Sequence, residues 1–554
     1  MNHSFYHESN GEPSPVPNLF EAPVVPPPTS KRPAYRGLDM LLACLAFVMG
    51  YLFVCALPFT RNALGAMLVF WGMFALSAIY FLRSGVRISV GAWCIAACAL
   101  VLSVGLISGG NNTVRFFLSL CLVGLFFCFN YAACGLHGNR VWGEPCFEHI
   151  IYAVFAVPFA NAGRIFPAFS AKKASGRSAS VMRTVGWVAI GLVIAIIPTA
   201  IVVALLSYDE QFTALLDRIF SFSFDRVAEW IVDIIFTVPA ALLIFGTVYG
   251  SWRRKKLCEA GEEHRVRAVR GGFFPKILLC AAVTPILAVY VLFFVSQWSY
   301  YVSAFTHVLP EGLTYAAYAR GGFFELCWVS GINAVLLFLF QFLMRRREGE
   351  RGIVPKLYSA VLSLFTLVLI ATALSKMVLY IGSYGLTQKR VYASWLMIVF
   401  AVAFILVLVK QFVPRMRLAL CILVVCLVLF GAIAIPDVDG MIADYNVDAY
   451  LDGELNDVDV FALRELGVSA TPALLELWDA LEAKDEAKEE LTVREQNNMV
   501  LTRDALSHIY FTYMQDYPEH PMAFHGPTQR AKAALEAHPI KEQLKRPEVT
   551  DYYA

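Results

Sequence analysis

Long apolar runs separated by polar loops fill residues 39–435 of the chain. A helix needs about 20 apolar residues to cross the hydrocarbon core of a bilayer. Eleven stretches satisfy that length, near 39–58, 64–82, 88–107, 114–135, 184–206, 228–250, 276–297, 323–344, 357–382, 393–410 and 417–435. The segment 141–170 (VWGEPCFEHIIYAVFAVPFANAGRIFPAFS) is also apolar, but Pro158 and Pro167 interrupt it, so it is expected to be interfacial or re-entrant. The pattern changes after residue 435. Thr471 to Ala483 (TPALLELWDALEA) places Leu474, Leu475, Trp478 and Leu481 at amphipathic spacing, with Thr471 as N-cap and Pro472 at the first helical position. The stretch LEAKDEAKEELTVREQNN that follows reads as a charged helical face.

The expected fold class is therefore all-α, a polytopic transmembrane helix bundle of about eleven spans with a small helical extracytoplasmic C-terminal domain. Three regions follow: a disordered, proline-rich cytoplasmic tail over 1–35, a transmembrane helical domain over 36–435, and an acidic helical domain over 436–554, ending loosely. The bulk numbers agree, with 58% hydrophobic and only 16% charged residues among 554.

Charge adds an orientation. From Pro436 onward there are 24 acidic and 10 basic residues, a net of −14, whereas the preceding part holds 35 basic and 19 acidic, a net of +16. With the N-terminus inside, the inner loops and N-terminal tail carry 27 Lys and Arg and the outer loops 7, which places the C-terminus outside. The location implied is a cytoplasmic (inner) membrane. The 13 cysteines show no paired CxxC motif and read as small hydrophobes. No cofactor or metal site is expected: His520 and His525 have no companion ligands, and PDVDG (Pro436–Gly440) only begins like a calcium loop.

Ionisable groups within apolar spans are functional candidates by default. TYAAYARGGFFEL (Thr314–Leu326) opens the eighth span. As a helix it gathers Tyr315, Tyr318, Gly322 and Glu325 within about 80° and turns Arg320 about 140° away from Glu325. Two readings stand, an interface belt or a ligand site. Glu325 asks for a partner such as Lys376, and Arg320 for one such as the acidic tail. Lys376 in the ninth span either snorkels outward or pairs with Glu325 or Asp233. The outer loop YIGSYGLTQKRVY (Tyr380–Tyr392) brings Tyr384, Thr387, Lys389 and Arg390 together, suited to an anion, a headgroup phosphate or the acidic tail. Asp233, followed by Pro239 in the sixth span, is either wetted at the span end or part of a mid-membrane site. RGGFF occurs twice, at Arg270–Phe274 and Arg320–Phe324, but its flanks do not match.

TYAAYARGGFFEL, the later LYIGSYGLTQKRVYASW and the tail element ADYNVDAYLDGELNDVDVFALRELG together resemble a bacterial multi-pass family, domain of unknown function four-one-seven-three, with its relative four-one-five-three. The resemblance extends from about the fifth span to residue 480. It carries over Tyr315, Tyr318, Arg320, Glu325, Tyr380, Tyr384, Gly385, Thr387, Arg390 and Tyr392 directly. Ala317 stands where the family pattern has an acid, which weakens any scheme with a second carboxylate beside Glu325. The resemblance implies a fold and no activity.

Phosphate-loop, HExxH and GxSxG signatures are absent from the sequence. Three functions remain. The leading one is a transporter-like or solute-binding protein with an outward polar vestibule lined by Tyr315, Tyr318, Arg320, Glu325, Lys376, Tyr384, Thr387, Arg390 and Asp233, taking a small solute or ion. The second is a non-catalytic envelope sensor or scaffold that binds a protein partner through residues 436–554. The third is a membrane enzyme acting on lipid or glycan with Glu325 as acid or base. Besides these, the lipid bilayer is a partner and nucleic acid is not.

Overall fold

The computed structural model describes residues 35–56, 62–136, 146–169, 202, 224–259, 274–296, 315–344, 353–487 and 491–544. Among them every extended element is a helix, and the β contact is an isolated bridge between Phe274 and Met344. The protein is an all-α membrane helix bundle. Among the described residues ten helices are long and apolar enough to cross a membrane. They are α1 (Gly37–Cys55), α2 (Ala63–Arg83), α3 (Val90–Ser108), α4 (Asn112–Ala133), α5 (His149–Ala168), α6 (Phe224–Glu259), α7 (Lys276–Ser296), α8 (Tyr315–Phe338), α9 (Ile353–Tyr384) and α10 (Gln388–Phe412). Next come α11 (Leu418–Ala434) and α12 (Val438–Leu451), bent by 58° at their junction. Helix α11 is apolar throughout, whereas α12 sends Ile442, Ala443 and Val447 into the core of the C-terminal domain, so the membrane-crossing part ends at the bend.

One expectation changes. Residues 149–168 form a helical run of 20 residues, not a broken segment. A π-turn at Tyr152–Ala156 precedes Pro158 and a 3-10 turn at Ala162–Arg164 precedes Pro167. Both prolines are thus absorbed by changes in helix pitch. The run starts beside the end of α4, where Tyr131 meets His149, and its far end reaches Phe47 in the middle of α1 through Phe169. It is long enough to cross, yet it enters the bundle from one end and arrives at mid-depth. The stretch expected as the fifth span, 184–206, lies outside the described residues but for Val202, which is helical, and the N-terminal tail lies outside them but for Tyr35.

Helices α1 to α6 share one apolar core that includes Phe81, Phe126, Phe129, Phe245 and Tyr249. Helices α7 to α10 build a second around Phe323, Leu362, Ile370 and Phe404. Helix α11 ties the two together: Ala434 joins the first and Leu418 the second. Lipid tails are as apolar as leucine, so helices in a bilayer associate through close backbone approach and hydrogen bonds instead of the hydrophobic effect. Glycines supply the approach. A Cβ on Gly50 would lie 2.9 Å from the Ala241 nitrogen, and one on Gly246 would strike the Pro158 carbonyl and come within 2.9 Å of the Ala162 nitrogen.

The C-terminal domain consists of α12 followed by α13 (Val460–Glu465), α14 (Thr471–Glu486), α15 (Val493–Ile509) and α16 (Gly526–Ala537). Leu474, Leu475, Trp478 and Leu481 of α14 enter its core, on the amphipathic face expected, and Leu477 joins them. Helix α14 begins at Thr471 with Ala470 as N-cap, one residue earlier than expected. The charged stretch beyond it is two helices, because Thr492 and Glu495 form a reciprocal capping box that starts α15. The domain sits on the end of the bundle opposite Arg83 and the Arg253–Lys256 run: Met522 lies against Gly65 at the start of α2, and Gly526 against Ile107 at the end of α3. These two ends are called the domain end and the basic end.

The glycine contacts yield a test. Gly246→Leu forces α5 and α6 apart, at a cost of about 1–3 kcal/mol, whereas Gly163→Ala meets nothing within 4 Å. Melting of the detergent-solubilised protein should fall for Gly246→Leu and stay level or rise for Gly163→Ala.

Candidate functional site at the joint between spans and C-terminal domain

At the domain end the tight connection between α9 and α10 is built by its own residues. Gly385 closes α9 with φ +71, a conformation that disfavours side chains, and its N–H returns to the Ile381 carbonyl at 2.8 Å. Thr387 caps α10, accepting from the Arg390 N–H at 3.4 Å. The Arg390 guanidinium donates to the carbonyls of Tyr384, at 2.8 Å, and of Gly385, and lies 4.1 Å over the Tyr380 ring. Tyr380 and Tyr384 pack ring to ring at 5.2 Å. The cation expected to hold an anion thus neutralises helix-end carbonyls of its own turn.

The C-terminal domain grips this turn. The Asn446 amide makes two bonds with one residue: its Oδ1 accepts from the Leu386 N–H at 2.6 Å and its Nδ2 donates to the Leu386 carbonyl at 2.8 Å. Beside it, Asp439 is 2% exposed and accepts from Asn111 Nδ2 at 3.1 Å and Gln388 Nε2 at 3.0 Å. One carboxyl group therefore joins the α3–α4 connection, the start of α10 and the start of α12. Asp437 caps α12 through the Gly440 N–H at 3.2 Å and pairs with Arg530 at 2.8 Å. The Ser108 hydroxyl donates to the Ile435 carbonyl. From the far side, His525 bonds the Gly109 carbonyl through Nε2 and Thr528 through Nδ1, both at 2.9 Å.

Burial drives the protonation of both titrating groups here. It pushes the Asp439 carboxyl up to about 6, against the stabilising bonds from Asn111 and Gln388, and Asp437 adds to the rise. It pushes His525 down to about 4, with Arg115 reinforcing the effect. The neutral ring follows from its partners: a carbonyl only accepts, so Nε2 carries the proton and Nδ1 accepts from the Thr528 hydroxyl.

The matching segment of the chain includes this whole clamp up to α14, over residues 69–477. The chain belongs to the family described as Domain of unknown function (DUF4153). Family membership extends from α2, earlier than the two motifs suggested, and leaves out His525 and Arg530. No curated protein and no solved structure matches the chain.

The remaining candidates divide between the two cores. Asp233 of α6 is half-buried and influences Tyr51 and Cys55 of α1 electrostatically. Glu325 of α8 is exposed and acts electrostatically on Lys376 of α9, in the second core. Tyr315, Tyr318 and Arg320 lie in the first turns of α8, and their side chains are outside the described part, as are Gly322 and the first RGGFF glycines. Deeper in the same core a polar chain links three helices. Tyr290 donates to Asn333 at 2.7 Å and Asn333 to Thr366 at 2.9 Å, while Thr284 meets Tyr358 at 2.8 Å.

Sequence reasoning passed over three residues that the structure makes central. Asn446 lies in the tail element ADYNVDAYLDGELNDVDVFALRELG, which carried no role of its own in the sequence. Asp439 sits in PDVDG, where a calcium comparison hid its value as a lone buried acid. Asp39 lies in the first turn of α1, fully buried, taking bonds from Arg36 Nη2 and Tyr80, each at 2.8 Å. The Arg36 guanidinium also lies 3.9 Å over Trp252. An acid in the first turn, three residues after an arginine, was the signal available for it.

The opposed shifts set a pH profile. Asp439 stabilises most at and below 3.8, its ordinary value, and loses that contribution as pH rises through about 6. His525 stabilises most above 6.5 and loses its contribution as pH falls through about 4. Melting temperature should therefore fall with rising pH across about 4–6 in His525→Asn, and rise with pH across about 4–6.5 in Asp439→Asn.

Proposed function

We propose that the protein is a non-catalytic scaffold or sensor of the bacterial envelope, with the basic end in the cytoplasm and the C-terminal domain outside the inner membrane. The carrying observation is the Asn446–Leu386 clamp with the Asp439 junction beside it. These bonds commit the Leu386 backbone and the Gln388 amide of the α9–α10 turn to a direct joint with the C-terminal domain, where a solute vestibule would leave them facing water. A domain fixed in this way transmits the position of the spans to a partner bound outside, or the reverse. The orientation rests on the 27-to-7 distribution of Lys and Arg.

A second reading, a transporter using the α7–α8–α9 core, is favoured by the Glu325–Lys376 interaction and by the Tyr290–Asn333–Thr366 chain below it. Polar groups bonded directly to one another also serve as glue between membrane helices, which the scaffold reading requires of them.

Complementation of a deletion strain separates the two. In the scaffold reading Asn446→Ala, which leaves the Leu386 amide unpaired at about 1–3 kcal/mol, loses function while Lys376→Met and Glu325→Gln retain it. The reverse pattern, together with ion or solute flux in proteoliposomes that Lys376→Met abolishes, would establish the transporter.

A further inference from the structure

A groove of about 540 Å³ lies between α3, α4, α5 and α11. Its walls are apolar and include four cysteines, Cys94, Cys98, Cys121 and Cys128. Its position within the bundle is specific. Along α4 it extends from Cys121 to Ala132, toward the basic end, and on α3, α5 and α11 it begins near their basic-end termini, at Gly91, His149 and Leu420. The α4 portion covers about 17 Å of helix rise, close to the ~15 Å depth of one leaflet's hydrocarbon. The volume falls in the range of small-ligand sites, about 300–1,000 Å³.

The end of the groove at the basic face is polar and positively charged. Tyr131 and His149 line it and bond to each other at 3.1 Å. Arg254 lies 4.2 Å over the ring of Tyr152, which follows on α5, and acts electrostatically on Tyr131. Arg254 belongs to the run Arg253, Arg254, Lys255 and Lys256. Within that run Lys255 and Lys256 share Glu259, at 4.0 and 2.9 Å. An apolar slot one leaflet deep, ending under cations, matches an amphiphile with a hydrocarbon chain and an anionic head.

We propose that this groove binds an anionic phospholipid from the leaflet at the basic end. One acyl chain lies along the four cysteines, and the phosphate sits by Arg254 and the Tyr131–His149 pair. The site is separate from the joint at the domain end and does not depend on either functional reading.

The test uses the full chain, purified in detergent and offered phosphatidylglycerol or phosphatidylcholine of the same acyl composition. Bound lipid is counted by native mass spectrometry, and occupancy of the groove is read from the rate of maleimide alkylation at Cys98 and Cys121. Retention of phosphatidylglycerol at least five-fold above phosphatidylcholine is expected, with the two cysteines protected. Gly124 lines the groove, and a Cβ there meets nothing within 4 Å. Gly124→Leu should therefore fill the slot with little change in melting temperature and remove retention at least five-fold. Arg254→Gln should abolish the preference for the anionic head while the cysteines remain protected by either lipid. Equal retention of the two lipids by the wild type, or full retention by Gly124→Leu, would overturn the proposal. So would a Cys98 cross-link between two copies with no lipid retained, which would assign the groove to a second chain.

Discussion

A polar group inside a bilayer has no water to bond, so it must find its partner within the protein. Much of this bundle is arranged by that requirement. Hydroxyls within the spans turn back onto their own helix: Ser119 to the Arg115 carbonyl, Thr247 to Leu243, Ser330 to Leu326 and Thr372 to Val368. Groups too large to be satisfied in this way reach across instead. Asn333 joins α7, α8 and α9, and Asp39 fastens the start of α1 to α2 while its partner Arg36 stacks on Trp252 of α6. Each such bond fixes the rotation of a helix about its own axis, which packing of leucine against lipid-like surroundings leaves loose.

At the domain end the same requirement applies to backbone. A tight turn between two long helices exposes carbonyls and N–H groups where water is only partly available. Arg390 covers two of the carbonyls, and Asn446 covers both polar groups of Leu386. Half of that satisfaction therefore comes from the C-terminal domain, which links the spans to the domain more firmly than apolar contact would. The buried Asp439 makes the link sensitive to protonation, since its charged form is held in place by only two neutral donors.

Much of the fold was legible in the chain, because hydrophobic length is a local property. The positions of α1 to α4 and α6 to α11 follow from runs of apolar residues, and α14 follows from the spacing of Leu474, Leu475, Trp478 and Leu481. The candidate site was only partly legible. Tyr384, Thr387 and Arg390 stood out by composition, yet their roles depend on Gly385 closing a helix and on Asn446 arriving from 60 residues away. The α5 segment was expected to break at its prolines because proline counts against a helix locally, whereas pitch changes ahead of each proline absorb them.

The sequence by itself determined that this is a membrane protein of many spans, which end of the bundle is basic, and that an acidic helical domain follows the last span. Tertiary structure alone decided which polar residues meet. Asp439 with Asn111 and Gln388, Asn446 with Leu386, and the cysteine-lined groove under Arg254 each combine segments far apart in the chain. Periodicity records which face of a helix is apolar, but the partner of a buried charge is fixed only when helices pack, because the bond depends on distance between segments and not on spacing within one.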